Sequence, residues 1–184
     1  MQAGGDNTYA VAVVGRDQPG IAAAIANQLY EAEANIQDSR MSILGGQFAI
    51  MMVVSLPAGA DVEVLQNGLQ KVRDELGLET AVLREIADAS QDARPAPTHI
   101  LTVYGADHPG IVAAVCEALA SKSVNIDDLA TRVIGSVEEP VYTLICELTL
   151  PGDLDPAVLT ADLDGVAVSQ GVEVVLRELD QDIL

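Results

Sequence analysis

Asp17-Gln18-Pro19-Gly20-Ile21 and Asp107-His108-Pro109-Gly110-Ile111 have the residue types and spacing to hold a small charged molecule. In both, a carboxylate precedes a Pro-Gly pair and then an aliphatic residue that opens a helical pattern. A helix N-terminus presents backbone N–H groups without intrahelical partners, and these bind an anion such as a carboxylate. A nearby Asp or Asn oxygen can hold an ammonium group. Asn35-Ile36 and Asn125-Ile126 follow the two loops at the same distance and supply that Asn. The pattern therefore fits a zwitterion. It also has a purely structural explanation. Asp17 and Asp107 would cap helix N–H groups, Pro19 and Pro109 would sit in the first helical turn, and Gly20 and Gly110 would permit close backbone approach. Asn35 and Asn125 suit a turn into a strand for reasons of their own. The residues alone leave both readings open.

No other constellation points to chemistry. His99 and His108 are the only histidines and have no partner Cys or regularly spaced carboxylates, so no metal site is expected. Neither a Gly-x-Gly-x-x-Gly run nor a Gly-Lys-Ser/Thr run is present, and no Ser, Cys or Thr stands in a recognisable nucleophile setting. The expectation is a protein with no catalytic residues and no cofactor. Cys116 and Cys146 fall on a helical and a strand pattern, opposite Ala26 and Met52 of the first half, and read as buried free thiols. Arg40 alternates with Asp38, as in a solvated pair on one strand face.

The net charge of −19, from 28 acidic and 9 basic residues, argues against direct nucleic-acid contact, which needs Lys and Arg to neutralise phosphates. The longest apolar run, Phe48 to Val54, is far short of the ~18 residues of a membrane span. Residues 1–6 have neither a basic nor an apolar stretch, so no signal peptide is expected, and the two free thiols make the cytoplasm the expected compartment.

The elements that must position the loops occur twice. Between windows 17–36 and 107–126, nine of twenty positions are identical, which makes one unit repeated rather than one large domain. The match continues through Ser55-Leu56-Pro57 with Thr149-Leu150-Pro151, and Leu83-Arg84-Glu85 with Leu176-Arg177-Glu178. Alternating residues predict strands over 9–14 and 99–104. Ile21, Ile25 and Leu29, like Ile111, Val115 and Leu119, then mark one helix face. Second strands are expected over 35–43 and 125–134. A Gly45-Gly46 turn leads to a third strand over 47–56, and a longer connection from Gly135 through Pro140 replaces that turn in the second half.

Val62, Leu65, Leu69, Val72 and Leu76 predict a second helix capped by Asp61 and ended by Gly77. Its twin starts well at Asp155-Pro156, but Gly165 interrupts the pattern and predicts a weaker element. Last strands run over 78–86 and 172–179. The order βαββαβ, twice, predicts two ferredoxin-like α+β domains, each a four-stranded antiparallel sheet with two helices on one face. Their expected bounds are 9–86 and 98–180, after a tail of 1–8 and joined by a linker of 87–97. Each half is small, so the halves are expected to lean on each other or on a second chain, and a homodimer stays open.

A strand, Asp-x-Pro-Gly-Ile, a helix and Asn-Ile in this βαββαβ order resemble the ACT domain, a small regulatory module that binds amino acids. Asn35-Ile36-Gln37-Asp38-Ser39-Arg40, with Met41 to Gly46 and the strand from Phe48, is similar to the glycine cleavage system transcriptional repressor family, built of two tandem ACT domains. The second half departs from it: Asn125-Ile126-Asp127-Asp128-Leu129 lacks the Asp-Ser-Arg run. The resemblance implies a non-catalytic sensor of a small amino acid such as glycine or serine. Its site would be built from Asp17, Gln18, Pro19, Gly20, Ile21, Asn35 and Ile36, with Asp107, His108, Pro109, Gly110, Ile111, Asn125 and Ile126 as the second copy, and the first copy is expected to bind better. It also implies a protein partner, a transcriptional activator of glycine or one-carbon genes. The alternatives are an assembly module without ligand, and a regulatory partner of a separate metabolic enzyme.

Overall fold

The computed structural model describes residues 7–86, 96–135 and 140–179. The chain divides into two compact units, residues 1–92 and 93–184. The first runs β1 (Asn7–Arg16), α1 (Ile21–Glu31), β2 (Asn35–Leu44), β3 (Gln47–Leu56), α2 (Val62–Leu76) and β4 (Thr80–Glu85). The second runs β5 (His99–Gly105), α3 (Ile111–Ser121), β6 (Asn125–Gly135), β7 (Pro140–Thr149), α4 (Pro156–Gln170) and β8 (Val172–Glu178). The sheets have orders β2-β3-β1-β4 and β6-β7-β5-β8, with every pair antiparallel. The ferredoxin-like expectation is borne out in both units. β1 begins at Asn7, inside the segment expected to be a tail, and most of the expected linker (87–95) lies outside the described residues.

Side-chain alternation explains each sheet. Tyr9, Val11 and Val13 of β1 and Phe48, Ile50, Met52 and Val54 of β3 are buried under the helices. Ile21, Ile25 and Leu29 of α1 and Leu65, Leu69 and Val72 of α2 meet them from above. Each such side chain stabilises the unit by roughly 1.5–3 kcal/mol against exposure. The second core repeats this with Leu101, Val103, Leu144, Cys146 and Leu148 under Ile111, Val115, Leu119, Leu159 and Leu163. Cys116 is half-buried, Cys146 is buried, and both are free thiols as expected.

The helix expected to be weak is complete. α4 has the same 15-residue length as α2. Asp155 caps it by accepting from the Ala157 N–H at 2.9 Å, Pro156 opens its first turn, and Gly171 ends it at φ 63°. Gly165 is exposed, so its cost is only the propensity loss of about 1 kcal/mol, which the caps and buried leucines offset.

β2 lies at a sheet edge, and all ten of its residues are exposed. The matched bulges at Gln37 and Asp127 shift register at the same place in both units. Gly45 and Gly46, at φ 57° and 79°, form the expected tight hairpin turn. In the second unit, residues 136–139 of the longer connection lie outside the described residues. Among the described residues no helix is long and apolar enough to cross a membrane.

Candidate functional site

Each Asp-x-Pro-Gly loop carries the chain from the central strand of its sheet into the helix layer. Gly15 and Gly105 set where this happens. A Cβ on Gly15 would stand 2.8 Å from Leu78 Cδ2, and one on Gly105 would stand 2.9 Å from Val172 Cγ1. The strand end thus lies against the residue that follows the C-cap glycine of the second helix. This brings the loop to that helix's C-terminus, where backbone carbonyls lack intrahelical partners.

The residue after the Asp takes up one of those carbonyls in both units. Gln18 Nε2 donates to the Leu76 carbonyl at 2.6 Å. His108 Nε2 lies 2.7 Å from the Gln170 carbonyl, and its Nδ1 lies 3.1 Å from that of Pro109. Two acceptors facing two ring nitrogens favour the doubly protonated imidazolium. The Gln170 carbonyl raises the His108 pKa above the ordinary 6.5, the Pro109 carbonyl adds to it, partial burial opposes it, and Asp107 adds a smaller push upward. Gln18 and His108 were expected to be ligand-binding residues; the structure gives each a latch to the second helix.

The capping role expected of Asp17 and Asp107 is not found. Gly20 and Gly110 are the N-caps of α1 and α3, at φ 99° and 112°, and neither helix has a side-chain cap. Those left-handed angles insert an extra turn, which leaves each Asp too far back to reach the N–H groups and sets Pro19 and Pro109 before the helix instead of in its first turn. The backbone ladder starts only with Ala24 N–H to Gly20 and Ala114 N–H to Gly110, both at 2.9 Å. The three N–H groups ahead of each are left for solvent or a ligand.

At the second loop these groups border a cavity of about 530 Å³ lined by Asp107 through Ala113 and by Tyr142. Asp107 brings a carboxylate to the same wall, and Tyr142 is a buried residue of β7, paired in register with Gly105. Burial pushes the Tyr142 phenol pKa up, and a hydrogen bond with the Thr131 side chain opposes this. The sequence reading missed Tyr142, Val112 and Ala113. Tyr142 follows the longer connection of the second half, so counting from the repeat did not align it with the loop. Ile21 and Ile111 are buried core anchors at the loop ends.

The Asn positions diverge. Asn125 Nδ2 donates to the Asp127 carboxylate, which also accepts from Thr149 Oγ1 at 2.6 Å. Its amide is thus engaged by its own sheet edge. Asn35 is exposed and borders a separate cavity of about 570 Å³ with Tyr30, Glu31, Glu33 and Ala34. Gln37 and Ser55 occupy the places of Asp127 and Thr149 in the first unit, so that carboxylate is missing. Neither cavity is lined by both an Asn and the loop of its own unit. Ile36 is exposed beside Asn35, while Ile126 packs against the second core. Among the described residues no cluster of His, Cys, Asp or Glu could hold a metal ion.

Known proteins resemble this chain in sequence and fold. The chain is 44% identical over 77 residues to a UPF0237 protein of Methanopyrus kandleri, covering 41% of this chain and 84% of that one. It is 25% identical over 171 residues to the glycine cleavage system transcriptional repressor of Escherichia coli, covering 92% and 84%. The crystal structure of an unknown protein from Galdieria sulphuraria superposes at TM-score 0.80 with 29% identity, over 96% of this chain and 100% of that one. The ACT domain pattern itself matches residues 8–82 and again 98–177. With both βαββαβ units matched, the chain belongs to the ACT domain family.

Proposed function

We propose that this protein is a non-catalytic, cytoplasmic sensor that binds a small amino acid such as glycine or serine and passes its occupancy to a protein partner. The observation that carries this reading is the uncapped N-terminus of α3, open on the cavity at Asp107–Ala113, which moves the proposed site from the first copy, expected to bind better, to the second. The free N–H groups suit an α-carboxylate, and the Asp107 carboxylate suits the ammonium. The likeness to the glycine cleavage repressor supports a regulatory role and suggests a transcriptional regulator of glycine or one-carbon metabolism as the partner. A net charge of −19 favours a partner with a basic face and disfavours direct DNA contact.

Affinity is bounded by ligand size. Five heavy atoms at a ceiling of ~1.5 kcal/mol each give glycine at best a Kd of a few micromolar, and a metabolite sensor works well in the range above that. A thermal-shift screen of the twenty amino acids tests the reading. A rise in melting temperature confined to a few small amino acids supports it. The latches of Gln18 and His108 favour a second reading, in which the loops only fix helices, and a screen flat to several millimolar would establish that one.

A further inference from the structure

We infer that the solvent face of α4 is a docking surface for a partner protein, which it receives as an amphipathic helix with an aliphatic seam and Lys or Arg on its flanks. At 3.6 residues per turn, Ala157, Val158, Ala161, Gly165 and Val168 fall together on the side turned away from the buried Leu159 and Leu163. All five are exposed, Val168 at 86% and Val158 at 46%. A surface helix normally gives that side to charged and polar residues.

The twin helix shows that the fold does not require an apolar face there. α2 and α4 share one length, an Asp cap in front and a left-handed Gly behind, so their positions match one to one. Where α4 has Ala157, Ala161, Gly165 and Val168, α2 has Glu63, Asn67, Lys71 and Asp74, and only Val158 is matched by another valine, Val64. Lys71 pairs with Glu75 at 3.8 Å across one turn of that polar surface. Gly165 departs furthest. It is not among the glycines with positive φ, and a Cβ on it would meet nothing within 4 Å, so neither backbone nor packing inside the unit calls for glycine. Glycine weakens a helix interior. A bare backbone at the middle of the face lets a second helix lie close, because the spacing of packed helices follows the side chains between them.

Charge chooses the occupant. Asp162 and Asp164 flank the stripe on its two sides, Asp153 and Asp155 stand at its start, and no Lys, Arg or His occurs from 153 to 171. Lys122 pairs with Asp162 at 2.9 Å and leaves the other carboxylates without a cation from α4 itself. Two copies of this face would oppose like charges, whereas a basic helix would meet carboxylates along both flanks of its seam. From Val158 to Val168 the stripe runs about 15 Å, so the contact is small and of the transient class. The inference rests on the proposed function for the existence of a partner, and it joins the two sites: His108 of the loop is held to Gln170, the last residue of α4.

Fluorescence anisotropy of the full chain tests this with a labelled helical peptide of about 18 residues, leucines along one stripe and lysines elsewhere. No amino acid is added, so the result is independent of binding at the loop. A flat amino-acid screen beside a bound peptide would sink the sensor and keep this surface, and the reverse pair would do the opposite. At physiological salt the wild type should bind with a Kd of roughly 10–100 µM. Gly165→Lys with Val168→Asp copies the residues of α2 and adds one charge of each sign, so the net charge stays at −19. This variant should bind at least tenfold more weakly, with circular dichroism and melting close to wild type. Amide shifts of the wild type on peptide addition should centre on residues 157–168, a reading that needs no variant. A peptide with glutamates in place of lysines should not bind at several hundred micromolar. Absence of lysine-peptide binding at that concentration overturns the inference. So does equal affinity in the variant, a shift pattern centred away from α4, or a glutamate peptide that binds as well.

Discussion

The imidazole of His108 and the backbone carbonyl of Gln170 stand 2.7 Å apart, and this contact joins the second loop to the last residue of α4. Gln18 makes the equivalent contact with the last residue of α2 at 2.6 Å. The same join is therefore built once from a titratable group and once from a neutral amide.

The two units should consequently differ in pH response. The carbonyls of Gln170 and Pro109 hold the His108 pKa above 6.5 in the folded state. Its stabilising contribution is therefore complete below pH 6.5 and is lost as pH rises through the folded-state value, where only one ring nitrogen keeps a proton. NMR titration should place the His108 pKa above 6.5, and amide exchange at 107–113 should quicken over that window. His108→Gln, copying Gln18, should abolish the effect and retain the fold. A His108 pKa at or below 6.5 would contradict the latch.

The N-cap glycines should not tolerate a side chain. At φ 99° and 112°, Gly20→Ala and Gly110→Ala each force a left-handed non-glycine residue, at a cost of about 1–2 kcal/mol. Gly110→Ala should be the worse, because its Cβ would come within 3.3 Å of Gln170 Oε1 whereas that of Gly20 meets nothing within 4 Å. Urea unfolding measures both. Equal stability with wild type would refute the strain argument.

Removal of the Asn side chains should separate the two positions. Asn125→Ala breaks the bond to Asp127 and should cost about 1 kcal/mol of stability. Asn35→Ala should leave melting unchanged without ligand. If the first unit binds an amino acid through Asn35, the same change should lower affinity by about 1–3 kcal/mol. Calorimetry beside thermal melts checks the pair, and loss of fold in Asn35→Ala would assign that residue to structure.

Cys146 should resist modification. Burial, with smaller contributions from Cys116 and Asp128, pushes its thiol pKa up to about 11. Alkylation of the native protein at pH 8 should therefore spare Cys146 and require unfolding to reach it. Mass spectrometry of the alkylated peptides reads this directly, and rapid native labelling would show that the strand is not buried as described.

Most of the fold was legible because periodicity is local. Ile21, Ile25 and Leu29 announce a helix face, and Tyr9, Val11 and Val13 a strand face, without knowledge of anything distant. The weak pattern of α4 misled because Gly165 was weighed without the burial of Leu159 and Leu163 or the strength of the caps. The site was legible in place but not in role. Residue types do not encode φ, so the left-handed turn at Gly110 that unseats Asp107 as a cap was hidden. The latch from His108 to Gln170 spans 62 residues, and Tyr142 reaches the loop from another strand. Neither leaves a trace in local sequence.

The central claim, that the open N-terminus of α3 receives an amino acid, is tested most directly by calorimetry on the wild type and on Ala113→Phe. Ala113 is exposed, lies in the first turn of α3 and lines the cavity, so the larger ring fills the site without entering the core. With the amino acid that best raises the melting temperature, the wild type should bind in the micromolar to millimolar range. Ala113→Phe should lose at least tenfold in affinity while its melting temperature without ligand stays close to wild type. Absence of heat with every amino acid up to several millimolar, or equal affinity in the variant, would contradict the account.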